Sequence, residues 1–327
     1  ENYCVSQFLS KCDASVMGDA AAALINGGLV AFPTETVYGL GADACNETAV
    51  ARIYSVKGRP TDHPLIVHVA SMDLLGDWAA DVPAYAIALA RDYWPGPMTL
   101  VVTRSELAGD FITGGQDTVG VRVPNHPVAL GLLEAFARAG GKGVAAPSAN
   151  RFGNVSPTTA QAVSDELSDY LGMSDVILDG GACAVGVEST IIDCTGDVPK
   201  ILRPGAITEE MIEHSTGLDV LDTDGVSIRV SGSLESHYSP IAKVVLDQPP
   251  DAGQGFIAMA DVATAAGVIR LAAPTTHDEF ARVLYSALRA ADEQGLNTVV
   301  VAQPGGNGIA IAIRDRLMRA AHTGSTS

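Results

Sequence analysis

The chain has 327 residues, 47% of them hydrophobic and 5% aromatic, so its length suits one large domain or two ordinary ones with cores of small aliphatic side chains. A formal net charge of −18 argues against broad non-specific binding to RNA or DNA, because such binding depends on Lys and Arg side chains. The five cysteines form no C-x-x-C pair and no apolar run reaches membrane-spanning length, which predicts a cytoplasmic protein with reduced thiols and no membrane partner.

The apolar pattern of the first two thirds of the chain predicts helices and strands together. The predicted helices cover residues 19–26, 49–56, 84–93 and 156–167, the first ended by Gly27-Gly28 and the last opened by Ser156-Pro157. The predicted strands cover residues 29–32, 65–69, 98–103, 118–123, 143–146, 189–194 and 200–202. Their spacing is too irregular for a simple βαβ repeat, so a mixed α/β fold is expected.

The composition changes near Asp222, which predicts a second unit. Residues 223–236 are polar and rich in Gly and Ser, as is typical of a linker. After Pro240 the pattern predicts strands over residues 241–246, 255–260 and 298–302, and helices over residues 278–293 and 309–321. This is the pattern of a small α/β domain of ordinary size, and residues 322–327 are expected to be a disordered tail.

Known nucleotide and metal motifs are weak or missing in the sequence. Gly39-Leu40-Gly41 begins a G-x-G-x-x-A pattern, but six residues separate it from the preceding strand, whereas a dinucleotide-binding turn follows its strand directly. The sequence contains no P-loop, no H-E-x-x-H and no cluster of carboxylates. Any Mg²⁺ is therefore expected to arrive on the phosphates of a nucleotide.

Two pairs of polar residues have a spacing that suits an anion. One residue separates Lys57 from Arg59, and Pro60 biases Arg59 toward an extended backbone. Side chains two apart in an extended chain point the same way, so both cations could meet one anion. Ser148 and Asn150 have the same spacing and could likewise share a ligand. The alternative for Lys57 and Arg59 is an ordinary solvated charge pair.

Arg122 and His68 are polar residues inside predicted strands. An arginine between valines is costly unless a carboxylate pairs with it, and that carboxylate could belong to the fold or to a ligand. His68 shares a strand face with Ile66, so it is either a core histidine or a ligand-binding one.

Hydroxyl residues at predicted element ends complete the candidate set. Thr34 and Thr36 follow a strand and could form a turn or bind a ligand, and Ser156 could cap a helix or bind phosphate there. No order of serine, histidine and acid suggests a covalent nucleophile.

These segments resemble the threonylcarbamoyl-AMP synthase family in its two-domain form. The matching segments are residues 28–41, 57–68, 94–100, 121–124, 146–156, 186–193, 202–205 and 237–240. The resemblance implies a YrdC-like twisted mixed sheet with flanking helices and a concave cleft, followed by a small Rossmann-like α/β domain. It implies a catalytic domain over residues 1–222, a linker or lid over residues 223–240 and a C-terminal domain over residues 241–327.

The resemblance also implies which residues bind the substrates. The implied threonine site consists of Thr36, His68, Arg122, Ser189 and, less firmly, the backbone of Ala146. The implied ATP site consists of Lys57, Arg59, Thr118, Ser148, Asn150, Ser156, Arg203 and Tyr238, with Lys57 and Arg59 acting in catalysis. His63 stands where the family usually has Asn, so its ATP contact would rest on one hydrogen bond.

The implied reaction joins L-threonine, bicarbonate or CO₂ and ATP into threonylcarbamoyl-AMP and pyrophosphate, with Mg²⁺ on ATP and no organic cofactor. The product would feed the modification of the adenosine beside the anticodon of tRNA, so the implied partners are the downstream tRNA threonylcarbamoyl-transfer machinery and, weakly, tRNA itself. Two alternatives stay open: an RNA-binding module of the same fold, and a carbamoyltransferase that uses carbamoyl phosphate.

The linker carries a hypothesis of its own. Residues 223–239 are expected to fold back over the ATP site, with Tyr238 of His237-Tyr238-Ser239-Pro240 contacting the nucleotide. The alternative is that Tyr238 only anchors the second domain.

Overall fold

The computed structural model describes residues 7–10, 13–221, 228–232 and 238–322, and these residues form two sheets with flanking helices. The first part contains eleven strands: β1 Gln7–Ser10, β2 Val30–Pro33, β3 Tyr38–Asp43, β4 Ile66–His68, β5 Ala79–Asp81, β6 Met98–Arg104, β7 Thr118–Arg122, β8 Val144–Ala145, β9 Val176–Asp179, β10 Thr190–Asp193 and β11 Lys200–Arg203. Its helices are α1 Ala14–Ile25, α2 Glu47–Lys57, α3 Leu75–Trp78, α4 Ala84–Tyr93, α5 Asp110–Thr113, α6 Pro127–Arg138, α7 Ala160–Leu167 and α8 Glu209–Thr216, with a 3₁₀ turn at Met72–Leu74.

The large sheet is mixed, which confirms the predicted fold class. Its strands lie in the order β1-β9-β2-β3-β8-β4-β7-β6-β10-β11, and β5 pairs with the end of β6. The β2–β3, β3–β8, β8–β4, β7–β6 and β10–β11 pairs are antiparallel, and the others along this path are parallel. As a result, ends of strands from distant parts of the chain meet at the middle of the sheet.

The second part of the chain builds a separate small sheet. Its elements are β12 Lys243–Leu246, β13 Gly255–Ile257, β14 Ile269–Ala272, α9 His277–Glu293, β15 Thr298–Val301 and α10 Ile309–Ala321. The strands are all parallel in the order β12-β15-β13-β14, so the predicted Rossmann-like unit is confirmed. Its apolar cluster also includes Val37, Val155 and Val187 of the first part, so the two units share a packed boundary.

The bounds of the predicted helices were confirmed for two helices and wrong for others. Helices α4 and α10 begin and end at the predicted residues, whereas the helix predicted to open at Ser156 begins only at Ala160, with Thr159 as its N-cap. That prediction was wrong because residues 157 and 158 form backbone hydrogen bonds with other segments instead of a helical turn. The carbonyl of Pro157 accepts from the amide of Tyr38 at 2.9 Å, and the carbonyl of Thr158 accepts from Cys183.

Strand β3 was missed because it contains Gly39 and Gly41, and glycine is depleted in strands. Packing explains Gly41, because a Cβ there would lie 2.6 Å from Cγ1 of Val144. The elements that were not predicted at all include β1, β5, β9, β14, α5, α6 and α8. Strand β11 extends one residue beyond its prediction, to Arg203, and α1 begins five residues before its prediction, at Ala14. Among the helices described, none is both long and apolar enough to cross a membrane.

Candidate active site

Residues from the middle strands of the large sheet, from β10 and β11 and from the linker surround one cavity. Nine of the predicted site residues line it: Thr36, Arg59, His68, Arg122, Ala146, Ser148, Ser189, Arg203 and Tyr238. The other lining residues are Thr34, Val37, Gly39, Ile66, Pro147, Glu188, Ser231 and Gly232. The sheet order explains this convergence, because the loop after β2 and the ends of β4, β7 and β8 lie side by side.

The turn after β2 shapes one wall of the cavity. The hydroxyls of Thr34 and Thr36 lie 2.8 Å apart, so they point to the same side of the turn. The Thr34 hydroxyl also donates to the carbonyl of Val37 at 2.7 Å, so this residue closes the turn. Thr36 Oγ1 accepts from Nη1 of Arg122 at 3.0 Å, which connects the turn to the end of β7.

Arg122 has a carboxylate partner inside the fold. Its Nη2 lies 2.8 Å from Oε2 of Glu35, and both side chains are buried. Its Nε donates to the carbonyl of Gly96 at 3.3 Å. Glu35 Oε1 makes no hydrogen bond with any residue that the structure describes. The guanidinium is thus held at the cavity wall by Glu35, Thr36 and Gly96, with its charge matched by Glu35.

His68 ends strand β4 as a buried, uncharged ring. Burial first, and the charge of Arg122 second, lower the pKa of His68 to about 3. The ring packs edge-on against Phe32 with centroids 5.9 Å apart. Its Nδ1 is buried and has no hydrogen-bond partner within the described part of the chain. A core histidine is normally satisfied, so this ring nitrogen in a cavity wall favours a ligand-binding role.

Ser189 and Arg203 form the opposite wall. The Ser189 hydroxyl lies 2.8 Å from that of Thr99, and Nη2 of Arg203 donates to it at 3.1 Å. Arg203 also donates to the carbonyl of Ser189 through Nε and to the carbonyl of Ser231 through Nη1, the latter at 2.7 Å. Arg203 therefore links the wall to the described part of the linker.

Lys57 lies in a different setting from the one predicted. It is the last residue of α2, and Gly58 ends the helix in the left-handed conformation with φ 64°. The predicted extended geometry of Lys57 and Arg59 is therefore wrong, because the helix continues one residue further than residues 49–56. Lys57 Nζ is buried and donates to the carbonyl of Ser148 at 2.6 Å and to that of Asn150. Burial and the charge of Arg59 hold the pKa of Lys57 well below its ordinary value.

Arg59 faces the cavity and contacts the linker. Its Nη2 donates to the carbonyl of Pro64 at 3.0 Å and to Ser231 Oγ at 3.1 Å. Burial lowers the pKa of Arg59 to about 10, so the guanidinium stays charged at neutral pH. Lys57 and Arg59 are buried, so the alternative of a solvated charge pair is wrong as well.

Ser148 and Asn150 do not face one ligand together. Ser148 lines the cavity, whereas the side chain of Asn150 is buried and donates to the carbonyls of Arg151 at 2.7 Å and Asn154 at 2.9 Å. Asn150 thus holds its own loop in shape. The backbone amide of Ala146 donates to the carbonyl of Ile66 at 3.0 Å, so it is already used within the sheet.

Three other predicted residues lie outside the cavity wall. His63 packs edge-on against Phe152 with ring centroids 5.4 Å apart. Thr118 lines a smaller neighbouring cavity beneath residues 229–231 of the linker. Ser156 is buried and donates to Oε1 of Glu188 at 2.6 Å instead of capping a helix.

The described linker residues support part of the lid hypothesis. Residues 228–232 lie against the first unit, and Ser231 and Gly232 line the cavity. Tyr238 lines the cavity and also stacks on Tyr285 of the second unit with centroids 5.7 Å apart, so the structure gives it both a cavity position and an anchoring contact. Residues 222–227 and 233–237 lie outside the described residues, and His237 of the predicted lid is among them.

Sequence reasoning missed two buried carboxylates, Glu35 and Glu188. Each adjoins a predicted threonine-site residue, Thr36 or Ser189, and this position in the sequence is the signal that could have found them. Among the described residues, no group of three or more His, Cys, Asp and Glu side chains is arranged to hold a metal ion.

The fold and this cavity define an enzyme of the YrdC-like class with a second α/β unit. The family model described as Telomere recombination, for Sua5, YciO and YrdC proteins, matches residues 22–205. The model described as Threonylcarbamoyl-AMP synthase, C-terminal domain, matches residues 207–322. The chain belongs to the threonylcarbamoyl-AMP synthase family.

Relatives and a solved structure agree with this assignment. The threonylcarbamoyl-AMP synthase of Pyrococcus abyssi is 40% identical over 92% of this chain and 92% of its own length. That of Bacillus subtilis is 38% identical over 97% of this chain and 96% of its own length. A crystal structure of P. abyssi Sua5 complexed with L-threonine has 37% sequence identity and a TM-score of 0.86, and covers 97% of this chain and 98% of that chain.

Proposed function

We propose that this enzyme makes L-threonylcarbamoyl-AMP and pyrophosphate from L-threonine, bicarbonate or CO₂, and ATP. One observation carries the proposal: the five residues assigned to threonine line the same cavity as Arg59, Ser148, Arg203 and Tyr238, which were assigned to ATP. A cavity with an amino-acid site beside a polyphosphate site is what this reaction requires. The relatives named threonylcarbamoyl-AMP synthase support the same reaction.

The proposed chemistry needs positioning more than a protein nucleophile. Arg122 binds the threonine carboxylate, and the threonine amine reacts with CO₂, or with bicarbonate and loss of water, to give a carbamate. The carbamate oxygen attacks the α-phosphorus of ATP, and the bond to pyrophosphate breaks. Bringing these groups together in a preorganised polar site supplies most of the rate enhancement in such reactions.

The charges of the cavity suit that sequence of steps. Arg59 and Arg203 line it from one side and Arg122 from another, so anionic phosphates and a carboxylate each meet a guanidinium. Lys57 donates to the carbonyls of Ser148 and Asn150, so in this proposal it acts by holding the loop that presents Ser148 to the phosphates. Mg²⁺ enters on ATP, because the described carboxylates form no cluster that would hold it by themselves.

His68 contributes a neutral donor and acceptor. With a pKa of about 3 the ring is uncharged at neutral pH, so it adds no positive charge beside Arg122. In this proposal its ring binds a polar group of threonine. Thr36 and Ser189 supply hydroxyls on either side of the same cavity.

The proposed setting is the cytoplasm, where the labile product passes to a tRNA threonylcarbamoyl-transfer machinery. Bicarbonate is the proposed carbon source, and contact with tRNA itself is proposed to be weak because the chain carries a net charge of −18.

Pyrophosphate release tests the proposal directly. Conversion of ATP to threonylcarbamoyl-AMP and pyrophosphate is expected to require both L-threonine and bicarbonate. The assay omits each of these two substrates in turn. Equal pyrophosphate release without threonine would overturn the assignment. Turnover of carbamoyl phosphate, or tight binding of duplex RNA without ATP turnover, would instead favour one of the two alternatives.

A further inference from the structure

The buried carboxylate of Glu188 joins the two units at the cavity wall. Its Oε1 accepts from Ser156 of the first unit, at 2.6 Å. Its Oε2 accepts from the hydroxyl of Tyr285 on α9 and from Nε of Arg316 on α10, each at 2.8 Å. A residue that lines the cavity is therefore held by two side chains of the second unit.

The buried negative charge of Glu188 is balanced by the positive charges of Arg316 and Arg203. Burial by itself would raise the pKa of Glu188, but the charges of Arg316 and Arg203 and the hydrogen bonds from Ser156 and Arg316 outweigh it and lower the pKa to about 2. Arg316 is fully buried, and its Nη2 donates to the carbonyl of Pro204 at 3.1 Å. Removing one member of such a pair leaves an uncompensated buried charge.

The same two side chains also hold Tyr238. Its ring stacks on Tyr285 with an interplanar angle of 23°, and the guanidinium of Arg316 lies 5.3 Å from its centroid. The backbone of Tyr238 has φ 63°, in the left-handed region that a residue with a Cβ rarely adopts. Such a conformation persists only where surrounding contacts determine it, and here Tyr285 and Arg316 supply them.

We infer that Tyr285 and Arg316 are positioning residues for the reaction, which fix Glu188 and Tyr238 and thereby both sides of the cavity. The inference rests on the proposed function and gives the second unit a role within it. Glu188 precedes Ser189 of the proposed threonine site, and Tyr238 lies beside Gly232 at the proposed ATP site.

Other contacts of α9 hold the two units together without touching the cavity wall. Arg282 donates to the carbonyl of Ala184 at 3.0 Å, and neither residue lines the cavity. Arg282→Gln therefore serves as a control that weakens the boundary only. Tyr93→Phe is a second control, because it removes a tyrosine hydroxyl that donates at 2.8 Å to the carbonyl of Met211, away from the cavity.

The test compares Tyr285→Phe with these controls in the full-length chain. Phenylalanine keeps the stack on Tyr238 and removes only the bond to Glu188, so the chain should fold. Turnover per folded molecule is expected to fall about tenfold, since small displacements of positioning groups can cost up to about a hundredfold. Both controls should keep the parent turnover. Parent-like turnover in Tyr285→Phe would overturn the inference.

A double-mutant cycle separates positioning from general stability. Once Glu188→Gln is present, adding Tyr285→Phe should have little further effect on turnover, because both changes act through one contact. Additive losses would mean that Tyr285 acts elsewhere, against the inference. Arg316→Gln leaves the buried carboxylate of Glu188 unpaired and should destabilise the chain, so it is measured together with Glu188→Gln, which removes that charge.

Hydrogen exchange without substrate keeps this inference distinct from the proposed function. In Tyr285→Phe the amides of residues 187–190 should exchange faster than in the parent chain and in Tyr93→Phe. Unchanged exchange there would count against positioning by Tyr285. An inactive parent chain with the expected exchange pattern would count against the proposed reaction and leave the contact to Glu188 supported.

Discussion

Nη2 of Arg122 lies 2.8 Å from Oε2 of Glu35, so the arginine that is proposed to bind the threonine carboxylate already has a carboxylate partner. Of the two possible partners predicted for this arginine, the acid of the fold is confirmed as Glu35, and the ligand stays a prediction. Glu35 and Thr36 orient the guanidinium, which faces the cavity. Preorganisation of this kind lowers the entropy lost when a ligand binds.

Arg122→Lys should raise the KM for threonine by about tenfold or more and leave the KM for ATP nearly unchanged. Lysine keeps the charge beside Glu35 but cannot form the planar fork, and a hydrogen bond to a charged group contributes roughly 1.5–3 kcal/mol. Steady-state kinetics with each substrate varied in turn provide the measurement. Arg104→Lys is the matched control, because Arg104 is half-buried beside Asp110 and does not line the cavity. An equal rise for both substrates would show that Arg122 is not specific to threonine.

Lys57→Met should lower both turnover and stability. Lys57 is buried and donates to the carbonyls of Ser148 and Asn150, so its loss should cost stability, unlike the loss of a solvated cation. Losing these bonds should reduce the free energy of unfolding by about 1–3 kcal/mol. Urea denaturation measures it, with Lys142→Met at an exposed site as the control. Full stability in Lys57→Met would contradict the buried contacts.

Gly232→Ala should disturb the cavity through a specific clash. A Cβ at this position would lie 2.2 Å from the Tyr238 hydroxyl and 3.1 Å from Nη1 of Arg203. Gly253→Ala is the control, since it has a similar φ of 84° but meets nothing within 4 Å and so reports the backbone strain alone, about 1 kcal/mol. Turnover should fall about tenfold in Gly232→Ala only. Similar activity in both variants would show that Gly232 can move without consequence.

The stability of the chain should fall below pH 6.5 because of His68. Its pKa is about 3 in the folded chain and 6.5 ordinarily, so the unfolded chain binds the extra proton between these values. The stabilisation is complete above pH 6.5 and is lost progressively as the pH falls toward 3. The parent should therefore lose up to about 1.4 kcal/mol per pH unit more than His68→Gln in that window.

Urea titrations at pH 7, 6 and 5 measure this difference in slope. Parallel curves for the parent and His68→Gln would mean that His68 is protonated in the folded chain.

The sequence by itself determined part of the local elements and the residue types of the candidate site. Apolar periodicity located α4 and α10, and the resemblance of short motifs to a known family selected nine residues that line one cavity. Such predictions succeed because they depend on neighbours a few residues apart.

Only the tertiary structure decided which residues the buried charged side chains pair with. Lys57 binds a carbonyl 91 residues away, and Glu188 pairs with Arg316 across 128 residues. These pairings follow from the strand order of the large sheet and from the docking of α9 and α10, which no local pattern encodes. The side chain of an ionisable residue can be exposed or buried in the same local conformation, and the burial that shifts its pKa comes from elements distant in the sequence.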